Sequence, residues 1–164
     1  MTTTDLKPIP YYLPAWQAGH IAWLASQGHE VRYAVPEGTE PKRADLRNAK
    51  LSKTCLAGAD LRYIDMSGAD LLWANMPDAD LTGAILTGAD LRNVDFIRAR
   101  LTGADLRGAN LACIEAMNAD LRGADLTGCI MRDADLRSAD LRNADMRYID
   151  TGTVKLRGAK LPEA

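Results

Sequence analysis

Apolar residues recur along most of the chain with a period of five. From Ala44 onward the centre of each unit falls at positions 46, 51, 56 and so on to 161, which gives 24 consecutive units. An α-helix repeats its apolar face every 3.6 residues, and a strand repeats it every second residue. The pattern therefore predicts neither an ordinary helix nor an ordinary strand. Internal repetition on this scale indicates a repeat fold.

Each unit has two apolar positions on either side of a polar one. The central residue is Leu in 17 units and Met in four, and the other three centres are Phe96, Ala116 and Thr151. The residue two before the centre is Ala in 17 units, and the residue just before the centre is Asp in 14. Residues two apart in extended backbone share a side. The five positions are termed small, outer, central, first turn and second turn, with the small and central residues predicted to face inward.

The spacing of the glycines gives the number of units in one turn of the solenoid. At the second turn position Gly recurs at 68, 88, 108 and 128 and again at 83, 103 and 123, a spacing of 20 residues or four units. Glycine is favoured at a corner that needs a positive φ. The spacing predicts a square coil of 20 residues and six coils over residues 44–163. At about 4.8 Å between stacked strands, the prism is roughly 29 Å tall.

The repeated pattern Ala-(Asp/Asn)-Leu-x-x, seen for example in residues 104–108, resembles the pentapeptide-repeat family. The resemblance covers residues 44–163 and implies an all-β fold, a right-handed quadrilateral β-helix. It says little about function, because the family includes gyrase-binding DNA mimics, developmental regulators and many members with no assigned role.

Residues 1–43 differ from the repeats and are expected to form a short N-terminal helical cap. Residues 15–27 follow Pro14 and precede Gly28, which are typical start and stop signals of a helix. Residues 30–35 predict a short strand, followed by a loop. The stretch HIAWLASQGHE before KRADLRNAKL resembles lead-in segments of the family. A cap would cover the apolar end and the unpaired edge of the first coil; the alternative is a separate binding helix.

Composition excludes several classes of protein. The net charge of −2 gives no polyelectrolyte signal, so DNA binding is not expected. Three scattered cysteines without a CxxC motif, Cys55, Cys113 and Cys129, indicate reduced thiols in a cytoplasmic protein. The N-terminus lacks the basic and apolar regions of a signal peptide. No window approaches 18 apolar residues, so no membrane association is predicted.

No catalytic, cofactor-binding or metal site is predicted. Arg occupies the first turn position in 10 units, two residues from the outer position and on the same side of the backbone, so the many outer aspartates are expected to be neutralised locally. His20 and His29, the two imidazoles, match no metal-ligand spacing. Leu and Ala from four sides fill the interior and leave no pocket. The chain is therefore not expected to be an enzyme or to hold a cofactor.

Two functions remain open at this stage. The preferred one is a non-enzymatic scaffold that binds a protein of unknown identity. The alternative is a DNA mimic that binds a type II topoisomerase, as a gyrase inhibitor or protector. The side that begins with Asp45 carries five Asp and three Arg and nets −2, while each of the other sides sums to zero. Duplex DNA carries about one charge per 1.7 Å, and the repeats have no inserted loop of the kind that the quinolone-resistance branch uses for gyrase.

Apolar residues interrupt the charged surface at one place. Three successive first turn positions, one coil apart, are apolar, and two more apolar residues precede them at the neighbouring corner. A contiguous exposed apolar strip marks an interface more often than an accident, whereas single exposed apolar residues are ordinary. The candidate protein-binding patch consists of Leu72, Trp73, Pro77, Ile97 and Met117.

The sixth coil is the second candidate interface, because no following segment resembles a cap. An uncapped coil offers apolar side chains and an unpaired backbone edge to another chain, and two identical ends can meet across a two-fold axis. Family members that pair through their C-terminal ends imply a homodimer here as well. Against this, Pro162, Lys155 and Lys160 are residues that keep an edge single. The candidate dimer end consists of Thr151, Val154, Leu156 and Leu161.

Overall fold

The computed structural model describes residues 45–163 and shows a solenoid held together by single-residue parallel β-bridges. With one exception, each outer residue pairs with the outer residue 20 positions later, from Asp45 with Asp65 at one end to Asp140 with Lys160 at the other. Residues 45–163 contain no helix and no strand longer than one residue. The bridges confirm four units per coil and the solenoid β-fold. The predicted cap, with its helix at 15–27 and strand at 30–35, lies outside the described residues.

The solenoid has six coils of 20 residues, numbered here from residue 44, and four sides. The sides are numbered by the outer residue with which each begins in coil one. These residues are Asp45, Lys50, Cys55 and Asp60 for sides one to four. A residue and the one 20 positions later therefore lie on the same side in adjacent coils.

The backbone of a regular unit is fully hydrogen-bonded. In the unit 69–73, the Asp70 N–H donates to the preceding coil at 2.9 Å, and those of Leu71 and Trp73 donate to the next coil at 2.9 and 3.0 Å. The N–H of the small residue closes the preceding turn. The fifth N–H, on Leu72, donates to Oδ1 of Asp70 at 3.3 Å. Outer Asp thus caps a turn that would otherwise leave a donor without a protein partner.

The second turn position has a left-handed backbone on all four sides. Nine glycines there have φ between +64° and +76°, and thirteen other residues, including Trp73 and Cys113, have φ between +56° and +62°. A β-turn with positive φ at its third residue is of type II. The interpretation that recurrent glycine marks the corners needing positive φ is therefore corrected: nearly every unit needs it, and glycine occupies only some of those positions.

Small and central side chains fill the interior as predicted. Central residues from Leu46 to Leu141 are at most 4% exposed. Phe96 is among the largest fully buried side chains, and Ala116, in the next coil of the same column, is also buried. Ile114, which replaces Ala in the unit of Ala116, is buried too. Close packing of this kind leaves little free volume.

Coil six leaves the regular path on side two. The expected bridge between Ile130 and Asp150 is the one that is missing from the series within residues 45–163. The Asp133 N–H donates to the hydroxyl of Thr153 at 2.9 Å, and not to a backbone carbonyl as in other units. Thr153 also lacks the positive φ found at every other second turn position from Asn48 to Gly158.

The residues at 149–153 explain this departure. Thr151 occupies a central position but is exposed, since burying its hydroxyl without a partner has a free-energy cost. Ile149 stands where Ala is usual and is half-buried. The unbroken sequence period did not predict this displacement.

Candidate functional site

The outer carboxylates are largely engaged by the protein itself. Arg107 donates from Nε to Oδ1 of Asp105 at 2.8 Å and from Nη2 to Oδ2 at 2.6 Å. The Arg107 N–H also donates to Oδ1, at 3.2 Å. This arrangement, called the Asp–Arg fork below, confirms the predicted local neutralisation. It recurs at Asp45–Arg47, Asp60–Arg62, Asp90–Arg92, Asp120–Arg122, Asp135–Arg137, Asp140–Arg142 and Asp145–Arg147.

The forks at Asp45 and Asp105 keep those carboxylates ionised. Hydrogen bonds from Arg47 lower the pKa of Asp45 to about 2. Hydrogen bonds from Arg107 lower the pKa of Asp105 in the same way, although partial burial opposes them. A general acid or base needs a pKa near the operating pH, and the forks move the pKa in the opposite direction. These carboxylates are therefore suited to structure and not to proton transfer.

Three of the five predicted patch residues form one continuous column on side three. Pro77, Ile97 and Met117 occupy the first turn position in coils two, three and four. The backbone holds them in register, because the N–H of Asp78 donates to the Ile97 carbonyl and that of Arg98 to the Met117 carbonyl, both at 3.0 Å. All three are half-buried. They are named the apolar strip.

The other two patch residues lie beside the strip and not within it. Trp73 is at the corner between sides two and three, with 56% of its surface exposed. Leu72 is half-buried on side two, where its neighbours in the column are Ser52 and Arg92. Leu72 and Trp73 thus precede the strip along the chain, at the corner between sides two and three.

A groove of about 480 Å³ runs along this corner next to the apolar strip. One wall carries second turn residues of side two, including the exposed Trp73, and the other wall carries outer residues of side three. This corner groove is lined by Trp73, Ala74, Asn75, Asn93, Asp95, Cys113 and Glu115.

Asp95 and Glu115 differ from the forked carboxylates around them. Like Asp120 and Asp140, they are negative neighbours across the ladder in adjacent coils, but neither of them has a fork. The Asp95 carboxylate accepts a bond from the backbone N–H of Ile97 at 2.8 Å. Within residues 45–163 neither carboxylate receives a side-chain hydrogen bond or an ion pair. Like charges directly opposite each other in a sheet are destabilising.

The cause is visible in the sequence. The first turn residue behind Asp95 is Ile97 and the one behind Glu115 is Met117, where a forked unit carries Arg. Arg98, a turn arginine that interacts electrostatically with Asp95, donates its hydrogen bonds instead to Asp78 at 2.8 and 2.7 Å. The apolar residues of this column were predicted from the sequence, but the carboxylates that they leave without a fork were not.

The residues of the candidate dimer end differ in exposure. Thr151 and Leu161 are exposed, while Val154 and Leu156 are half-buried. Among the described residues, the N–H groups of Leu156 and Leu161 have no backbone acceptor.

The lysines of coil six are directed to the preceding coil. Lys155 lies 3.8 Å from a carboxylate oxygen of Asp135, and Lys160 lies 3.6 Å from one of Asp140. Both lysines remain mostly exposed. They therefore extend the charge lattice of coil five as well as adding charge to the edge.

Residues 45–163 contain no group of three or more His, Cys, Asp or Glu side chains arranged to hold a metal ion. No helix in this part has the length and apolar character that crossing a membrane requires.

Cys129 is buried, its thiol donates to the Leu106 carbonyl at 2.9 Å, and burial raises its pKa to about 12.

Comparison with known proteins identifies the repeats. Residues 37–68, 44–83, 74–111 and 117–150 match a family model described as pentapeptide repeats, in eight copies. No curated protein matches the chain.

Several solved structures match the chain. HetL, a pentapeptide repeat protein involved in heterocyst differentiation regulation from the cyanobacterium Nostoc sp. strain PCC 7120, is 27% identical. The match covers 73% of this chain and 81% of HetL, with a TM-score of 0.44. Rfr23 from the cyanobacterium Cyanothece 51142 is 27% identical over 61% of this chain and 60% of its own, with a TM-score of 0.35. Full-length QnrB1, a plasmid-mediated fluoroquinolone resistance protein, is 20% identical over 73% of this chain and 80% of its own, with a TM-score of 0.45.

Proposed function

The chain belongs to the pentapeptide-repeat family, and on that premise we propose that it is a non-enzymatic scaffold that binds another protein through side three. The observation that carries the proposal is the apolar strip, which stacks Pro77, Ile97 and Met117 in successive coils beside the exposed Trp73. Contiguous apolar surface of this kind marks interaction sites on soluble proteins.

The surrounding surface supports the choice of this side. Sides one and four are covered mainly by Asp–Arg forks and by carboxylates that accept hydrogen bonds from hydroxyl groups. For example, the Thr127 hydroxyl donates to Asp125 at 2.6 Å. A partner would have to desolvate those charges. The strip presents apolar groups instead, and an exposed Trp at its edge is the residue type most enriched at binding hot spots.

Site-specific photo-cross-linking tests the proposal. A benzophenone amino acid replaces Ile97 in one variant and Thr87 in the other, and each variant is exposed to a lysate of the native host. Both positions are half-buried first turn residues of coil three, on opposite sides of the square. We expect a discrete protein adduct from position 97 that is absent at position 87 and that is lost when Trp73→Asp is added.

Two results would contradict the proposal. Identical adduct patterns from positions 97 and 87 would mean that the strip has no selectivity. Retention of the position 97 adduct in the Trp73→Asp variant would show that the corner does not take part.

The alternative function is a DNA mimic that binds a type II topoisomerase through side one. The only feature favouring it is the excess of Asp on that side. Three of the carboxylates, on Asp45, Asp105 and Asp145, are forked by arginines, which weakens the negative field. A supercoiling assay with purified gyrase separates the two functions: inhibition or drug protection at low micromolar protein would favour the mimic.

We also propose that the scaffold forms a homodimer through coil six. Its support is the exposure of Thr151 and Leu161 together with backbone donors that have no acceptor among the described residues. The dimer would pair two identical edges across a two-fold axis. It would leave side three free for a different protein.

A further inference from the structure

We propose that the corner groove binds an arginine side chain of the partner, with apolar residues beside that arginine packing on the apolar strip. The inference rests on the proposed protein-binding function and names the chemistry of the partner segment.

The solenoid itself supplies the template for this recognition. At eight units of the described chain, an Arg at the first turn position donates from Nε and Nη2 to both oxygens of an outer carboxylate, as Arg107 does to Asp105 at 2.8 and 2.6 Å. At Asp95 and Glu115 the same positions hold Ile97 and Met117. The groove is therefore the regular charge lattice without its two arginines. A guanidinium from another chain would complete it.

The two carboxylates are free to accept such a group. Asp95 uses Oδ1 for the Ile97 N–H, and none of its remaining acceptor capacity is used by a side chain within residues 45–163. Glu115 is exposed and pairs with Asp95 across the ladder. Adjacent coils are about 4.8 Å apart, so one cation placed between these residues would relieve their mutual repulsion.

The groove favours Arg over Lys. Its wall includes the exposed indole of Trp73, and a planar guanidinium can stack on an indole while it donates to carboxylates. The Asn75 and Asn93 side chains on the same groove offer amide oxygens that can accept further guanidinium N–H groups. A lysine ammonium has neither the planar face nor the fork.

The position of the apolar strip beside the groove indicates which residues should flank the arginine of the partner. Ile97 and Met117 lie two residues beyond Asp95 and Glu115 on the same side. A partner segment that places its arginine in the corner groove would place the side chains next to that arginine over the apolar strip. The preferred ligand is therefore an arginine flanked by apolar residues, and not a polybasic tract.

The test uses the full chain and two double variants. Ile97→Arg/Met117→Arg supplies the lattice with its own arginines and should close the groove to an external one. Ser67→Arg/Thr127→Arg is the matched control. It adds the same charge at first turn positions on side one, behind Asp65 and Asp125, which also lack a fork. The control variant and Ile97→Arg repeat the Asp–Arg pair that the solenoid already contains, and thermal melting confirms that each double variant is folded.

The probe is a phage-displayed random peptide library, selected on the immobilised wild-type chain. We expect the enriched peptides to contain one arginine flanked by apolar residues. Replacing that arginine by citrulline, which is neutral and similar in shape, should weaken binding by roughly tenfold or more. The Ile97→Arg/Met117→Arg variant should lose affinity to the same extent, while the Ser67→Arg/Thr127→Arg control should bind as the wild type does.

Several results would overturn the inference. These are the absence of arginine from the enriched peptides, equal affinity of the citrulline peptide, and equal binding to both double variants. Peptides that depend on Trp73 and Ile97 but tolerate citrulline would refute the arginine site and leave the protein-binding strip intact. Equal cross-linking from positions 97 and 87 would instead refute the proposed function. A cross-link from position 97 to residues 1–44 of the same chain, or to a second copy, would show that this segment or copy occupies the strip. The proposal of a different partner protein would then be wrong.

Discussion

The ring of Tyr63 lies over Gly83, which occupies the same corner in the next coil. A Cβ built on Gly83 would stand 2.6 Å from Cδ1 and Cε1 of that ring. Gly103, one coil further along the corner, has nearly the same φ, +64° against +65°, but no other group lies within 4 Å of its Cβ position. Two features thus favour glycine at Gly83, the positive φ and the ring of Tyr63, whereas only the positive φ favours it at Gly103.

This difference predicts unequal costs for the same substitution. Gly83→Ala and Gly103→Ala should each lose about 1–2 kcal/mol of stability, because alanine must adopt a left-handed backbone. Gly83→Ala should lose roughly 1 kcal/mol more, because its methyl group displaces the ring. Denaturant unfolding of the two variants measures the difference, and Tyr63→Ala in the background of Gly83→Ala should reduce it. Equal losses at both glycines would mean that the ring does not rest on Gly83 in solution.

The Asp–Arg forks predict how stability depends on pH. Hydrogen bonds from the arginines lower the pKa of Asp45 to about 2 and lower that of Asp140 as well. A carboxyl with a lowered pKa in the folded state stabilises that state above its unfolded pKa of about 3.9, and this contribution disappears as pH falls through the folded pKa. We expect the melting temperature to be nearly constant from about pH 7 to 5 and to decline from about pH 4 to 2.

A single variant checks the origin of that decline. Asp140 faces Arg142 in its own unit and Lys160 in the next coil, with Asp120 in the preceding coil. Arg142→Gln removes the fork but retains Lys160, so the decline below about pH 4 should become shallower. An acid decline as steep in Arg142→Gln as in the wild type would assign the pH dependence to other groups.

The sequence predicted what depends on period alone. Leu121 and Cys129 point inward because they occupy central and small positions, and both are buried. Which side chains of different coils come together was harder to predict from the sequence. The corner groove joins Trp73 to Glu115, which are 42 residues apart in the sequence, and its carboxylates stand out only when each outer residue is compared with the turn that follows it.

The displaced segment on coil six shows a second limit, because a repeat frame does not reveal local energies. Thr151 keeps its central place in the frame, and yet Asp150 does not bridge to Ile130. The outcome depends on the balance between burying a hydroxyl and pairing a backbone. That balance is a property of one site and not of the pattern.

Thr151→Leu should restore the regular path. A leucine at this central position gains by facing inward, which would bring Asp150 opposite Ile130 and give the Met131 N–H a backbone acceptor. We expect slower amide exchange at Met131 and a higher melting temperature. If Thr151→Leu changes neither, while Ile149→Ala does, the bulk of Ile149 causes the displacement and the hydroxyl does not.

At Ala116 a substitution by leucine should have the opposite effect and lower the stability of the chain. It is the only alanine at a central position, and it is buried in one column with Phe96 and Leu136. We propose that the ring of Phe96 or the larger Ile114 fills the space that a central leucine would take. Ala116→Leu should therefore destabilise the chain by roughly 1–3 kcal/mol through overpacking. A gain in the free energy of unfolding would instead reveal a cavity beside Ala116.

The last prediction concerns coil six as a dimer interface. Leu161 is 49% exposed, and its N–H has no backbone acceptor among the described residues. A second copy related by a two-fold axis would cover that side chain and pair that donor. Light scattering at micromolar concentration should then give a mass twice the 17.8 kDa of one chain. Leu161→Lys places like charges at the centre of such an interface and should yield the single-chain mass, whereas Thr87→Lys, on side one, should leave the dimer intact. A mass of 17.8 kDa for the wild type at every concentration would show that coil six protects its own edge, with the exposed Lys155 and Lys160 as the residues responsible.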